Sequence, residues 1–241
     1  MNARITAATA ARVLRQLRHD HRTLGLLLVV PSVLMGLLAW VFEGSGTFDK
    51  VGAPLLGVFP FVVMFLVTSV ATLRERTTGT LERLLTMPMG KLDLLVGYAL
   101  AFGLVATVQA AVVTTLSVTV FGLDVAGPVW LLVVAVLDAV LGMALGLFVS
   151  AFAATEFQAV QFMPAVVLPQ FLLCGLIVPR DSLDTALNWV SDVLPLSYAV
   201  DAMREITTSE QADPWVDLSV VGLAIALALA LGAATLRRRT P

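Results

Sequence analysis

Residues 128–152 read PVWLLVVAVLDAVLGMALGLFVSAF, 25 residues with a single ionisable side chain, Asp138, near the middle. Crossing the roughly 30 Å of bilayer hydrocarbon takes about 20 apolar residues. Hydrocarbon offers nothing to a bare N–H or C=O, so such a run must satisfy its own backbone as a helix. Working outward, five more runs have the same character: Leu24–Phe42, Ala53–Leu73 and Leu94–Phe121 before it, Ala159–Val178 and Leu218–Leu236 after it. The whole chain agrees. Of its 241 residues 59% are apolar and 13% charged, against about 45–50% and 25% in a soluble domain. The predicted fold class is an all-α integral membrane protein with six transmembrane helices.

The charges set the orientation. Cytoplasmic loops collect Lys and Arg. With the N-terminus inside, Arg4, Arg12, Arg15, Arg18 and Arg22 lie inside. Arg74, Arg76, Arg83 and Lys91 join them from the loop between spans two and three, and Arg237, Arg238 and Arg239 from the tail. Only Lys50, Arg180 and Arg204 fall outside. Trp40, Trp130 and Trp215 mark the outer ends of spans one, four and six, where amphipathic rings prefer to sit. Both termini are expected in the cytoplasm. No small-residue cleavage site follows the first apolar run, so a cleaved signal peptide is not expected.

One domain is expected over residues 1–241. Residues 1–23 form a cytoplasmic interface helix, 24–178 hold spans one to five, 179–217 form an outer segment, and 218–241 hold span six and a basic tail. In the interface helix Arg12, Arg15, Arg18 and Arg22 recur at steps of three or four, opposite Val13, Leu14 and Leu17. That pattern predicts a helix lying flat at the inner surface, basic side toward anionic headgroups. The loop Arg74–Pro88 carries dense mixed charge, then Leu81, Leu84 and Leu85 at helical spacing, with Thr78 or Thr80 as a cap and Pro88 as a stop. It reads either as a short helix that docks on a cytoplasmic partner or as a solvated hairpin. In the outer segment, apolar residues interleaved with Asp181, Asp184, Asp192 and Asp201 predict two short helices broken at Pro195, lying on or dipping into the outer leaflet.

Inside the spans Asp138 stands out, because a charge at that depth costs about 2.5–3.5 kcal/mol on insertion scales. It is expected to face protein or a water-filled cavity or to be protonated, and to serve as a substrate or proton contact or as a hydrogen bond to a neighbouring helix. Gln109, Gln161 and Gln170 are candidates for the pathway or for interhelical bonds worth about 0.6 kcal/mol. Pro164 and Pro169 each remove a helix hydrogen bond from span five and mark it as a kinked, pathway-lining or gating helix. Gly142 and Gly146 allow a close helix contact.

Several classes are disfavoured. Lys91 follows Gly90 but precedes Leu92, so there is no phosphate loop of the Walker type. One cysteine, Cys174, and two histidines, His19 and His21, leave little for a metal or hydrolytic site. No enzyme activity, no cofactor and no nucleic-acid partner are expected of this chain.

The segment Glu75–Gly90, with its Gly79-Thr80-Leu81-Glu82 core, resembles the first cytoplasmic loop of ABC-2 type exporter permeases. Gly142–Ser150, Pro169–Pro179 and then Leu194-Pro195-Leu196-Ser197-Tyr198 through Arg204 resemble that family's C-terminal signature. The likeness is greatest to its daunorubicin-resistance and nodulation-exporter branch. The resemblance implies a permease working as a homodimer or pseudo-dimer in the bacterial inner membrane with a separate ATP-binding subunit, which binds ATP and Mg. It implies that Glu75, Arg76, Leu81, Glu82, Arg83, Leu84 and Leu85 form the surface coupled to that ATPase. Pro195 and Tyr198 would belong to short outer re-entrant helices, and spans one, two and five would border the pathway. A hydrophobic or amphipathic cargo fits such a pathway. An ion-gradient carrier using Asp138 is the competing expectation. Two departures from the family pattern are Asp138 itself and the very short second cytoplasmic loop, Thr155–Gln158.

Overall fold

The computed structural model describes residues 2–78, 90–209 and 212–235. Among them are nine α-helices and no strands: α1 (Ala3–His19), α2 (His21–Val41), α3 (Thr47–Thr77), α4 (Lys91–Thr119), α5 (Pro128–Val149), α6 (Glu156–Leu173), α7 (Thr185–Val193), α8 (Pro195–Thr208) and α9 (Trp215–Thr235). A single 3₁₀ turn, Arg180–Ser182, precedes α7. Five helices are long and apolar enough to cross a membrane: α2, α3, α4 from Leu92, α5 and α9. α6 is not among them, because Glu156, three glutamines and two prolines dilute its 18 residues.

The interface helix expected within residues 1–23 ends early, at His19. Asp20 closes α1 by donating its N–H to Gln16 and Leu17 carbonyls, and opens α2 by accepting from the Thr23 N–H at 3.1 Å and hydroxyl at 2.6 Å. A residue that caps both neighbours breaks the helix between them. Arg22 therefore belongs to α2. In α1, Thr6, Thr9, Val13 and Leu17 are buried at helical spacing while Arg4, Arg15 and Arg18 face out. Its buried face lies along α4, where Gly97 makes room: a Cβ there would come within 2.7 Å of Thr9. Asp93, in the first turn of α4, also accepts the Asn2 N–H at 2.7 Å.

The turn from α2 to α3 uses Gly44 and Gly46 in the left-handed region, at φ 72° and 64°. α3 then runs for 31 residues, about 46 Å at 1.5 Å per residue. That exceeds the hydrocarbon thickness, so its last turns emerge from the apolar zone. α3 and α5 are the central pair, with 61% of their apolar windows buried, against 17% for α2 and 22% for α9. The wide exposed apolar faces of the outer helices, such as Leu26, Val29 and Val33 on α2 or Leu223 and Leu227 on α9, suit apolar surroundings rather than water.

α6 ends at Leu173, short of the expected Val178. Gly175 turns the chain at φ +86°, the left-handed geometry that ends many helices. The segment Thr155–Gln158 is also not a loop. Thr155 caps α6 by accepting the Gln158 N–H, and Glu156 and Gln158 lie in its first turn. The outer segment does contain two short helices, α7 and α8, with Pro195 at the first position of α8.

Candidate functional site

Three consecutive residues at the end of α3 reach three different helices. Arg74 donates to both oxygens of Glu156 at the start of α6, at 2.7 and 2.9 Å. Glu75 accepts two bonds from the Arg12 guanidinium of α1, both 3.0 Å, and Arg12 donates a further 2.7 Å bond to the Tyr98 hydroxyl of α4. Arg76 donates to the Ser150 carbonyl at the end of α5, at 2.5 Å. Planar guanidinium forks suit such bidentate pairs. The Glu75 side chain is only 14% exposed, so its oxygens are spent inside the bundle. Arg12 likewise does not share the solvent-facing stripe expected of it. Arg74 holds the Glu156 carboxyl below the usual glutamate range.

Only Thr77 and Thr78 separate the triplet from residues 79–89. Leu81, Glu82, Arg83, Leu84 and Leu85, the remaining residues of the expected coupling surface, lie outside the described residues. Thr78 caps α3, its hydroxyl donating to the Arg74 carbonyl at 2.8 Å.

A second constellation lies on the seam between α3 and α5. The two helices run parallel with a matching four-residue step: Gly57 faces Asp138, Phe61 faces Gly142, and Phe65 faces Gly146. A Cβ on Gly142 would overlap the Phe61 carbonyl oxygen, and one on Gly146 would lie 2.5 Å from that of Phe65. Backbone thus touches backbone, the close approach that a small-xxx-small pair permits. Asp138 continues the stripe one turn earlier. It is fully buried, and neither of its oxygens has a hydrogen-bond partner among the described residues. Gly57 leaves the space its carboxyl occupies: a Cβ there would lie 3.0 Å from Oδ2 and 2.6 Å from the Met203 methyl of α8.

Gln109 has a defined task. Pro31 in α2 has no N–H, which leaves the Leu27 carbonyl without its helical donor. Gln109 of α4 supplies one at 2.8 Å. It is an interhelical bond, and nothing places it on a pathway. Gln170 is buried but donates to Val166 in its own helix, at 3.1 Å. Gln161, Pro164 and Pro169 lie on the exposed face of α6, with Phe157, Leu168 and Leu172. α2, which also packs against α3, has an exposed apolar face of the same kind.

The outer segment is tied by a compact polar network. Arg180 bonds Asp192 of α7 and Asp201 of α8, and lies over the Tyr198 ring, 5.5 Å from its centroid. The Tyr198 hydroxyl donates to the Asp192 carbonyl at 2.8 Å. Ser191 and Arg204 take up the free Leu173 and Gly175 carbonyls beyond α6, at 2.8 and 2.5 Å. Burial pushes the Asp201 carboxyl above its ordinary range, against the pull of Arg180. The two short helices are therefore fastened to the end of α6 and to each other.

Comparison with known proteins adds an independent finding. The family described as ABC-2 type transporter matches residues 5–207. The chain is 26% identical over 155 residues to a probable multidrug ABC transporter permease, YbhR, of Escherichia coli strain K12, covering 63% of this chain and 42% of that one. It is 24% identical over 179 residues to the linearmycin resistance permease protein LnrN of Bacillus subtilis strain 168, covering 74% and 46%. It is 27% identical over 159 residues to ABC transporter G family member 20 of Dictyostelium discoideum, covering 66% and 22%. The matched regions thus span less than half the length of each of these relatives.

Proposed function

The chain belongs to the ABC-2 type transporter family, and from that premise we propose that it is the membrane-spanning permease of an ATP-driven exporter whose ATPase is a separate subunit. ATP and Mg bind on that partner. The observation that carries the reading is the triplet Arg74-Glu75-Arg76. It stands between residues 79–89, which are to dock on the ATPase, and α1, α5 and α6. A displacement of the docked segment would pass through three charge-assisted ties at once. ATP shifts the permease between two states only through contacts that differ between them, and these ties are where such a difference would enter.

In this reading α6 is the sixth span, with both termini in the cytoplasm of a bacterial cell. The daunorubicin-resistance and nodulation-exporter branch is the sub-family we favour. A second permease chain covers the exposed faces of α2 and α6, so that Gln161, Pro164 and Pro169 border the pathway. α7 and α8 form the re-entrant closure at its outer end, with Pro195 and Tyr198 at their junction. The cargo is a hydrophobic or amphipathic molecule taken from the cytoplasm or inner leaflet. The names of the two bacterial relatives, multidrug and linearmycin resistance, support that class.

The test is export from proteoliposomes holding this chain and its co-purified ATPase. Glu75→Arg should abolish export and leave membrane insertion intact, and Arg12→Glu in the same chain should restore part of it. Glu82→Lys should uncouple hydrolysis from export. Normal export by both single variants would remove the coupling assignment. The unpartnered Asp138 favours one second reading, an ion-gradient carrier. Export that survives mutation of the ATPase's phosphate-loop lysine would establish that reading instead.

A further inference from the structure

Away from the α3–α5 seam the bundle contains a cavity of about 420 Å³, bounded by α1, α2, α3 and α4. Small-molecule sites occupy roughly 300–1,000 Å³. Its walls are apolar: Leu66, Val67 and Val70 from α3, Val13 and Leu17 from α1, and Phe102 from α4. Its polar groups gather where α1 hands over to α2, at Gln16, Asp20 and Thr23, facing Arg74 and Glu75 of α3. The space is amphipathic, with one greasy end and one charged mouth. It shares no residue with the stripe that holds Asp138.

The charges of the mouth do not cancel. Arg74 is matched by Glu156, and Glu75 by Arg12. Asp20 is the lining charge with no ion-pair partner among the described residues. Its carboxylate accepts from Thr23, and Arg74 acts on it only from beyond salt-bridge distance. Those hydrogen bonds, from the Thr23 hydroxyl first and its N–H second, hold the Asp20 carboxyl below its usual range, so it is ionised at neutral pH. Phe102 adds an aromatic ring of the kind that attracts cations, while the Tyr98 ring already lies under the Arg12 guanidinium, 5.7 Å from its centroid.

We propose that this cavity binds an amphipathic cation, its apolar body against α3 and Phe102 and its positive charge on Asp20. An amphipathic anion would meet a carboxylate that forms no salt bridge and two arginines already bound to Glu156 and Glu75. A neutral amphiphile would fill the walls and leave Asp20 without a partner. The binding needs neither ATP nor a second subunit, so it stands or falls separately from the exporter reading.

The experiment uses the full chain in phosphatidylcholine nanodiscs and two radiolabelled probes of one shape and opposite charge, tetraphenylphosphonium and tetraphenylborate. Binding to empty discs is subtracted. Saturable binding of the phosphonium without saturable binding of the borate is expected. Asp20→Asn keeps the cap of α2, since Asn serves there as well as Asp. It should weaken phosphonium binding about tenfold, the scale of one charge-assisted contact. Val70→Trp fills the apolar end and should remove saturable binding. Glu43→Gln, an exposed change at the opposite end of α2, should leave it unchanged. The assignment is overturned by equal binding of the borate, by wild-type affinity in Asp20→Asn, or by no saturable binding of the phosphonium to the wild-type chain.

Discussion

Replacing Gln109 by leucine should cost stability only while residue 31 is proline. In the wild type the Leu27 carbonyl has lost its helical donor to Pro31 and takes the Gln109 side-chain N–H at 2.8 Å. Leu27 and Gln109 are both fully buried, so water cannot take over. Leaving a buried carbonyl unpaired costs about 1–3 kcal/mol, while polar contacts between membrane helices average about 0.6. Gln109→Leu also removes the Gln109 carbonyl oxygen, which has no partner of its own, and that gain offsets part of the loss. The net expectation is therefore a cost of about 1 kcal/mol.

Pro31→Ala restores an N–H four residues after Leu27 and closes the helix bond from within. In that background Gln109→Leu should cost nothing or be mildly stabilising. The difference between the two backgrounds, about 1 kcal/mol, is the coupling energy of a double-mutant cycle. It can be read from the folded fraction of the four chains in mixed micelles titrated with dodecyl sulfate. Equal costs in both backgrounds would refute the pairing and make Gln109 a pathway candidate again.

Three further outcomes rest on the same geometry. Gly142→Ala and Gly146→Ala put a methyl into the Phe61 and Phe65 carbonyls and should each cost about 1–3 kcal/mol in the same titration. Gly25→Ala and Gly222→Ala, whose added methyl meets nothing within 4 Å, should be neutral or stabilising. Arg74 lowers the Glu156 carboxyl, so the tie's contribution to stability is fully present above the ordinary glutamate value, about 4.3. It is lost as pH falls through the lowered value. Acid titration of unfolding should show this loss in the wild type and not in Arg74→Gln. Asp138→Asn keeps the shape and replaces a carboxyl group that has no hydrogen-bond partner among the described residues, so it should unfold no earlier than wild type. A loss above about 1 kcal/mol would reveal a bond to the ionised carboxylate.

Five of the six expected spans were legible because hydrophobic length is a local property. The sixth, Ala159–Val178, was harder for the same reason. Gln158, Gln161, Gln170, Pro164 and Pro169 sit within or beside it, and its helix ends at Leu173 because Gly175 takes a left-handed turn. The split of the N-terminal helix at Asp20 was hidden differently. Arg12, Arg15, Arg18 and Arg22 continue the periodicity across the break, and periodicity does not register a residue that caps in both directions. The partners of Glu75 and Arg74 were not legible at all. They lie 63 and 82 residues away along the chain, beyond any spacing rule.

Asp138 shows where sequence reasoning reaches its limit. Gly142 and Gly146 identify the face of α5 that meets another helix, since only small residues allow backbones to touch. Asp138 stands four residues before Gly142, so it shares that face. The sequence by itself leaves Asp138 facing protein or a water-filled cavity, or protonated, and the fold places it against protein. The residue that opposes it is visible only in the fold. Helices α3 and α5 run parallel in four-residue register, which brings Gly57 to Asp138, and α8 brings Met203. Neither side chain can donate a hydrogen bond. The interhelical bond that would make this acid an ordinary structural contact is absent among the described residues, and the Cys174 thiol is given to the Phe171 carbonyl. A glycine suits the seam because it is small, and for the same reason it has nothing to offer the acid that the seam encloses.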